Sequence, residues 1–226
     1  MAVNAVIFDW GGTLTPWHDI DHAEIWRSVC APHFPDDHHD RAAAALAAEL
    51  EFWQLAKTER RSSTILRVLQ RAGIEPTDEL LASYVRAWEP HTFTDPDLPA
   101  LLTYLRARGI RIGVLSNTMW PRAWHEDVFR RDGVLHLIDG AVYSSEIDWT
   151  KPHREAFLAA MTAIGVTDPA SCVFVGDRPW DDIHGAKSLG MRAVLLPNDS
   201  VPPFQDARPD AVISRLSELP ALIESW

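Results

Sequence analysis

The sequence predicts an α/β protein, a doubly wound parallel sheet interrupted soon after its first strand by a block of helices. Three observations predict it. Ala5-Val6-Ile7-Phe8 is a short apolar run of the kind that forms a strand covered on both faces. From Asp97 onward apolar runs alternate with helical patterns that end in glycine, the spacing of βα units in a parallel sheet. Between residues 16 and 90 no convincing strand occurs, and four helical patterns follow one another.

The first strand stops at Asp9-Trp10-Gly11-Gly12-Thr13-Leu14-Thr15. A carboxylate at the tip of a buried strand, followed by glycines that let the backbone approach a ligand, suits chemistry as well as a simple turn cap. Residues 21–30 then open with an acidic turn and place Ile25, Trp26 and Val29 at helical spacing. The alanine-rich stretch 42–56 is a strong helix with Leu46, Leu50, Phe52 and Trp53 toward one side. Ser62 or Ser63 is expected to cap a third helix, with Ile65, Leu66, Leu69 and Ala72 as its apolar stripe and Gly73 as its stop. Thr77-Asp78-Glu79 opens a fourth, which runs to about Trp88 before Pro90. The alternation that follows gives strands over 110–115, 141–143, 172–175, 193–196 and 210–213. Helices are expected over 98–108, 121–131, 153–164, 181–189 and 216–223. The division implied is an α/β core of residues 1–15 and 91–226 with a helical cap of residues 16–90.

A chain of 226 residues buries a full core, and 46% hydrophobic with 23% charged residues is ordinary for a globular protein. A formal charge of −11 argues against nucleic acid or an anionic membrane as the main partner, but a local cation would still admit a small phosphorylated molecule. Cys30 and Cys172 sit in apolar surroundings without metal-type spacing and read as buried free thiols. The opening Met1-Ala2-Val3-Asn4 has no basic region, and no apolar run nears the ~18 residues of a membrane span, so a cytoplasmic location is expected.

The ends of four strands carry the chemistry. The first offers Asp9, and the second offers Ser116 and Asn117. The third is followed by Lys151-Pro152, and the fourth by Gly176-Asp177 with Asp181-Asp182 close behind. Singly these residues cap helices or open them. Together they would meet at the carboxyl edge of one sheet, where such folds bind ligands. A nucleophilic carboxylate, a hydroxyl, an ammonium and an acidic cluster able to share Mg²⁺ are the parts that phosphoryl transfer needs.

In these four segments, and in their order, the chain resembles the haloacid dehalogenase-like (HAD) hydrolases, with a Rossmann-like core and the helical block as a C1-type cap. The resemblance implies that Asp9 is a nucleophile and Mg²⁺ ligand and that the carbonyl of Gly11 is a second ligand. It implies that Asp177 binds the metal directly and that Asp182 holds its waters, with Asp181 as an alternate. Gly12, Ser116, Asn117 and Lys151 would form the phosphoryl site, Ser116 and Lys151 by direct contact.

One position departs from the pattern. Phosphatases of this family usually carry a second aspartate two positions after the nucleophile as acid and base, and here that position is Gly11. Loss of general acid–base catalysis costs ~10²–10⁴-fold, so a slow phosphatase is expected. His18 and Asp19 are the nearest substitutes, with helix capping as their competing role. The phosphonoacetaldehyde hydrolases resemble this opening and use a cap lysine as a Schiff base; Lys57 is the one lysine in the cap. That branch usually has threonine and arginine where Ser116 and Lys151 stand. A non-catalytic phosphate-binding or interaction module is the remaining alternative. Dehalogenases also lack the second aspartate but bind no magnesium, and the acidic set Asp177, Asp181 and Asp182 speaks against them.

Ten tryptophans leave two roles open. Trp10, Trp17, Trp120, Trp149 and Trp180 would line the cavity between core and cap, or pack the hinge. Arg60 and Arg61 are expected at a solvated helix end, with a second substrate anion as their other use. His33, Asp36, Asp37, His38, His39 and Asp40 read as an N-capping acidic turn rather than a metal site.

Overall fold

The computed structural model describes residues 2–226. Six parallel strands form one sheet in the order β3-β2-β1-β4-β5-β6. They are β1 (Ala5–Phe8), β2 (Arg111–Ser116), β3 (Gly140–Tyr143), β4 (Cys172–Gly176), β5 (Arg192–Leu195) and β6 (Ala211–Val212). In β1, Phe8 pairs with Val114 on one side and Val175 on the other, so β1 ends within two residues of β2 and one of β4. The strand order reverses at β1, between β2 and β4, which is where a doubly wound sheet opens a crevice for ligands.

Strand periodicity divides the core into two faces. Val6 and Phe8 join Leu98, Leu102 and Leu105 of α5 (Leu98–Ala107) and Leu219 of α9 (Leu219–Glu224). Ala5 and Ile7 face the other way, toward Phe157 and Ala160 of α7 (Arg154–Ala163) and Ala186 of α8 (Gly185–Ser188). Phe129 of α6 (Arg122–Arg131) completes the first face.

A third apolar cluster lies under α1 (His22–Cys30), α2 (His38–Glu59), α3 (Ile65–Arg71) and α4 (Asp78–Trp88). Asp21, Thr64 and Thr77 cap α1, α3 and α4, each accepting a bond from the backbone three residues on. Met119 and Trp120, from the loop after β2, enter this cluster and join it to the sheet. A second seam runs elsewhere: Ser62 N–H donates to Asp148 C=O at 3.1 Å and Thr150 N–H to Arg60 C=O at 3.0 Å. Among the described residues no helix is long and apolar enough to cross a membrane. Both cysteines are buried and free.

Five local expectations are corrected. Thr64, not Ser62 or Ser63, caps α3, because the Ser62 hydroxyl is taken by the Ile147 carbonyl across the seam. Within α3 Ile65 and Leu69 are buried as expected, but Val68 joins them in place of Leu66, which is 51% exposed. In α2 the buried face is Ala42, Ala45, Ala48 and Phe52, and Leu50, expected inside, is 57% exposed. Residues 181–189 are not one α-helix: a wide, π-type turn spans Pro179–His184 and only then does α8 begin. Asp37 stands at the N-terminus of α2 but makes no capping bond; its carboxylate accepts from Arg41 Nε at 2.8 Å.

Candidate active site

Asp9 follows β1 directly, and its N–H still bonds the Val175 carbonyl at 2.9 Å, so the sheet itself fixes this carboxylate. The chain then turns sharply, with the Trp10 carbonyl accepting from Thr13, Leu14 and Thr15. Gly12 makes this possible: its φ is +84°, and a Cβ there would lie 2.4 Å from Asp177 Oδ2. Asp177 sits at the end of β4, beside Asp9. Gly176 plays the same part for Asp182, whose Cγ would lie 2.4 Å from a Cβ at that position. The wide turn over Pro179–His184 swings Asp182 inward, where one oxygen accepts from Arg178 N–H at 2.9 Å.

Lys151 completes the cluster. Its Nζ donates to Asp9 Oδ1 at 2.6 Å and to Asp182 Oδ1 at 2.7 Å, all three side chains being buried. Asn117 fixes the lysine's backbone from both sides: Lys151 N–H donates to Asn117 Oδ1 at 2.7 Å and Asn117 Nδ2 to the Lys151 carbonyl at 3.0 Å. Ser116 ends β2 and lines the same cavity.

Three carboxylates against one ammonium leave the site strongly negative. Burial, then the Asp9 and Asp182 charges, push Asp177 up to about 8. Burial and Asp9 raise Asp182 to about 7, against the pull of Lys151. Burial lowers Lys151, but Asp182 and Asp9 outweigh it and hold the ammonium protonated. Ligand atoms of Asp9, Asp177 and Asp182 lie within 4.8 Å of one another, the one such group among the described residues. Asp177 Oδ2 accepts from Asn198 Nδ2 at 3.2 Å, yet its Oδ1 is buried without a partner. A buried carboxylate oxygen without a donor, in an all-oxygen set with excess negative charge, fits a hard divalent cation.

Above this edge lies a cavity of 610 Å³, enclosed by the loop after β1, the loops after β2 and β3, and helices α1, α2 and α4. Of the sequence-predicted residues, it is lined by Asp9, Gly11, Gly12, Ser116, Asn117, Lys151 and Asp181. His18 and Lys57 also line it; Asp19, Arg60 and Arg61 do not. Arg60 lies over the Trp180 ring at 5.9 Å and Arg61 over Trp149 at 4.8 Å, so neither is a free helix-end charge. The tryptophans divide likewise. Trp10, Trp17 and Trp120 border the cavity, whereas Trp149 stacks on His153 and Trp180 on His184.

Three contributors escaped sequence reasoning. Asn198 anchors Asp177 from a proline-rich loop that carries no signal of its own. Arg178 lines the cavity, and its position between Asp177 and Asp181 was a usable clue. Glu49, buried on α2, accepts from Trp26 Nε1 at 2.6 Å and pairs with His22 Nδ1 at 3.0 Å; an acid four residues after Ala45, on the alanine side of the helix, was the hint.

A family model for haloacid dehalogenase-like hydrolases matches residues 3–190. A glyceraldehyde 3-phosphate phosphatase of Methanopyrus kandleri is 30% identical over 67% of this chain and 70% of that one. A phosphatase of Mycobacterium tuberculosis is 28% identical over 99% of this chain and 98% of that one. The crystal structure of a HAD phosphatase from Thermococcus onnurineus superposes with a TM-score of 0.70 at 22% identity, covering 98% of each chain, a likeness of fold.

Proposed function

The chain belongs to the haloacid dehalogenase-like hydrolases, and from that premise we propose that it is a Mg²⁺-dependent phosphatase of small phosphate monoesters, working through a phospho-Asp9 intermediate. The observation that carries this is the Asp9–Lys151–Asp182 arrangement with the unpartnered Asp177 Oδ1 beside it. Lys151 engages Asp9 Oδ1, which leaves the second oxygen free to attack phosphorus. The bond from that oxygen to phosphorus forms as the ester P–O bond breaks, and the electron pair leaves with the ester oxygen. Lys151 and Ser116 supply positive potential to the phosphoryl oxygens. Water then cleaves the acyl phosphate and regenerates Asp9.

Asp9, Asp177, Asp182 and the Gly11 carbonyl would hold Mg²⁺, Asp182 through its waters; bound there, the ion offsets repulsion between carboxylate and phosphate. Residues 16–90 serve as a C1-type cap over the core of residues 1–15 and 91–226, which the separate apolar cluster under α1 to α4 supports. No side chain at Gly11 offers a proton to the leaving group, so turnover is slow. The test is Mg²⁺-dependent hydrolysis of p-nitrophenyl phosphate with Asp9→Asn as control. Full activity in Asp9→Asn would refute the mechanism.

One observation favours a second reading, carbon–phosphorus hydrolysis. Lys57 lines the cavity that holds Asp9 and makes no ion pair among the described residues, as the amine of a Schiff base would require. Borohydride trapping of phosphonoacetaldehyde on Lys57 decides it.

A further inference from the structure

The cavity wall opposite Asp9 has a chemistry of its own. On α2, residues Leu46, Leu50 and Trp53 recur at helical spacing and border the cavity, while the helix buries its alanine face. Leu50 is 57% exposed, and Trp17, across the opening, is 43% exposed. Apolar side chains of this size, left uncovered in a concavity that ends on the reacting carboxylate, await an apolar ligand. Hinge packing accounts for Trp120, which is almost wholly buried against Trp10, Trp88 and Trp124. It does not account for Trp17 or Leu50, which join none of the apolar clusters among the described residues, and only partly for Trp53, which packs against the cluster under α1 to α4 and also borders the cavity.

Beside these side chains, the buried acid of α2 is already committed. Both Glu49 oxygens are engaged, by Trp26 and His22. A hydroxyl of the leaving group set against Leu46, Leu50 and Trp53 would face carbon, without a partner there for the hydrogen bonds it gives up in water. A planar ring loses nothing there and covers the exposed indoles.

We propose that the substrates are phosphate monoesters whose alcohol carries an aromatic ring, seated between Trp17, Leu50 and Trp53 while the phosphoryl group lies at Asp9. The proposal rests on the phosphatase reading above and names its substrate class. An alcohol with an alkyl linker separates ring recognition from leaving-group acidity, so the comparison is phenethyl phosphate against glycerol phosphate. The expected kcat/KM ratio is about tenfold or more in favour of the ring, expressed mainly in KM. Trp53→Ala, and independently Leu50→Asn at an exposed position that folding does not need, should bring the ratio to within about threefold. Equal kcat/KM for the two esters, or a ratio that survives both substitutions, overturns the proposal and leaves the phosphatase reading intact. Should neither ester nor p-nitrophenyl phosphate turn over with Mg²⁺, the phosphatase reading fails and this proposal with it.

Discussion

Replacing Gly11 with aspartate should raise the rate of phosphate-ester hydrolysis where the departing alcohol needs a proton. The space exists: no heavy atom lies within 4 Å of a Cβ built at Gly11, and the residue borders the cavity. Its backbone lies outside the left-handed region, unlike that of Gly12 at φ +84°, so a side chain brings no strain. The new carboxyl would stand two residues after Asp9 and border the cavity where the leaving group lies. A positioned general acid gives ~10²–10⁴-fold, or about 3–5 kcal/mol of barrier. The gain should concentrate on phenethyl phosphate, whose alkoxide needs a proton. It should nearly vanish for p-nitrophenyl phosphate, which departs as a stable anion. The assay is kcat for both esters at saturating Mg²⁺, with Gly11→Asn filling the same space without a proton to give. Equal kcat in Gly11→Asp and the parent on phenethyl phosphate, with metal binding intact, would refute the reasoning.

Gly12→Ala should have the opposite effect, because its Cβ would lie 2.4 Å from Asp177 Oδ2 and its φ is +84°. The left-handed conformation alone costs an alanine ~1–2 kcal/mol; the Mg²⁺-induced rise in Tm should disappear, and a rise equal to the parent's would contradict the close packing. The second prediction concerns His125, fully buried with Nδ1 unpartnered and Nε2 3.1 Å from Thr118 Oγ1. Burial, reinforced by Arg122, lowers it from 6.5 to about 3. The folded-state value lies below the unfolded one, so the stability at stake is present above pH 6.5 and lost as pH falls toward 3. Urea unfolding should therefore show a slope of about 1.4 kcal/mol per pH unit from this residue. His125→Phe, which keeps a ring against Tyr143, should remove it; an unchanged slope would assign the acid sensitivity elsewhere.

The sheet was legible because a strand covered on both faces leaves a distinctive run: Ala5 to Phe8 and Cys172 to Val175 are apolar at every position. The observed strands differ from those expected by a residue or two at their ends. Where the expectation failed, a local pattern had more than one use. Ser62, Ser63 and Thr64 are three adjacent capping residues, and the choice of Thr64 was made by a carbonyl, that of Ile147, eighty-five positions away in sequence. The helical period of α2 said which residues share a face, but not which face the rest of the molecule would cover.

The same distinction separates what the sequence disclosed of the site from what it concealed. Asp9, Ser116 and Asp177 are set by strand ends, so a strand pattern followed by a polar residue is enough to place them. Lys57, Arg60 and Arg61 stand within one turn of chain and are chemically similar, yet Lys57 borders the cavity while the arginines lie on Trp180 and Trp149. What parts them is Arg60, the one non-glycine residue at positive φ among those described, at 57°. It ends α2 in the left-handed conformation and sends the chain across to the Lys151 loop. That turn is dictated by the seam it joins, where Arg60 C=O takes the Thr150 N–H and Ser62 N–H reaches Asp148. The loop that carries Lys151 and the cavity-facing end of α2 are thereby one hydrogen-bonded unit, so two walls of the cavity drawn from distant parts of the chain are positioned by the same few bonds.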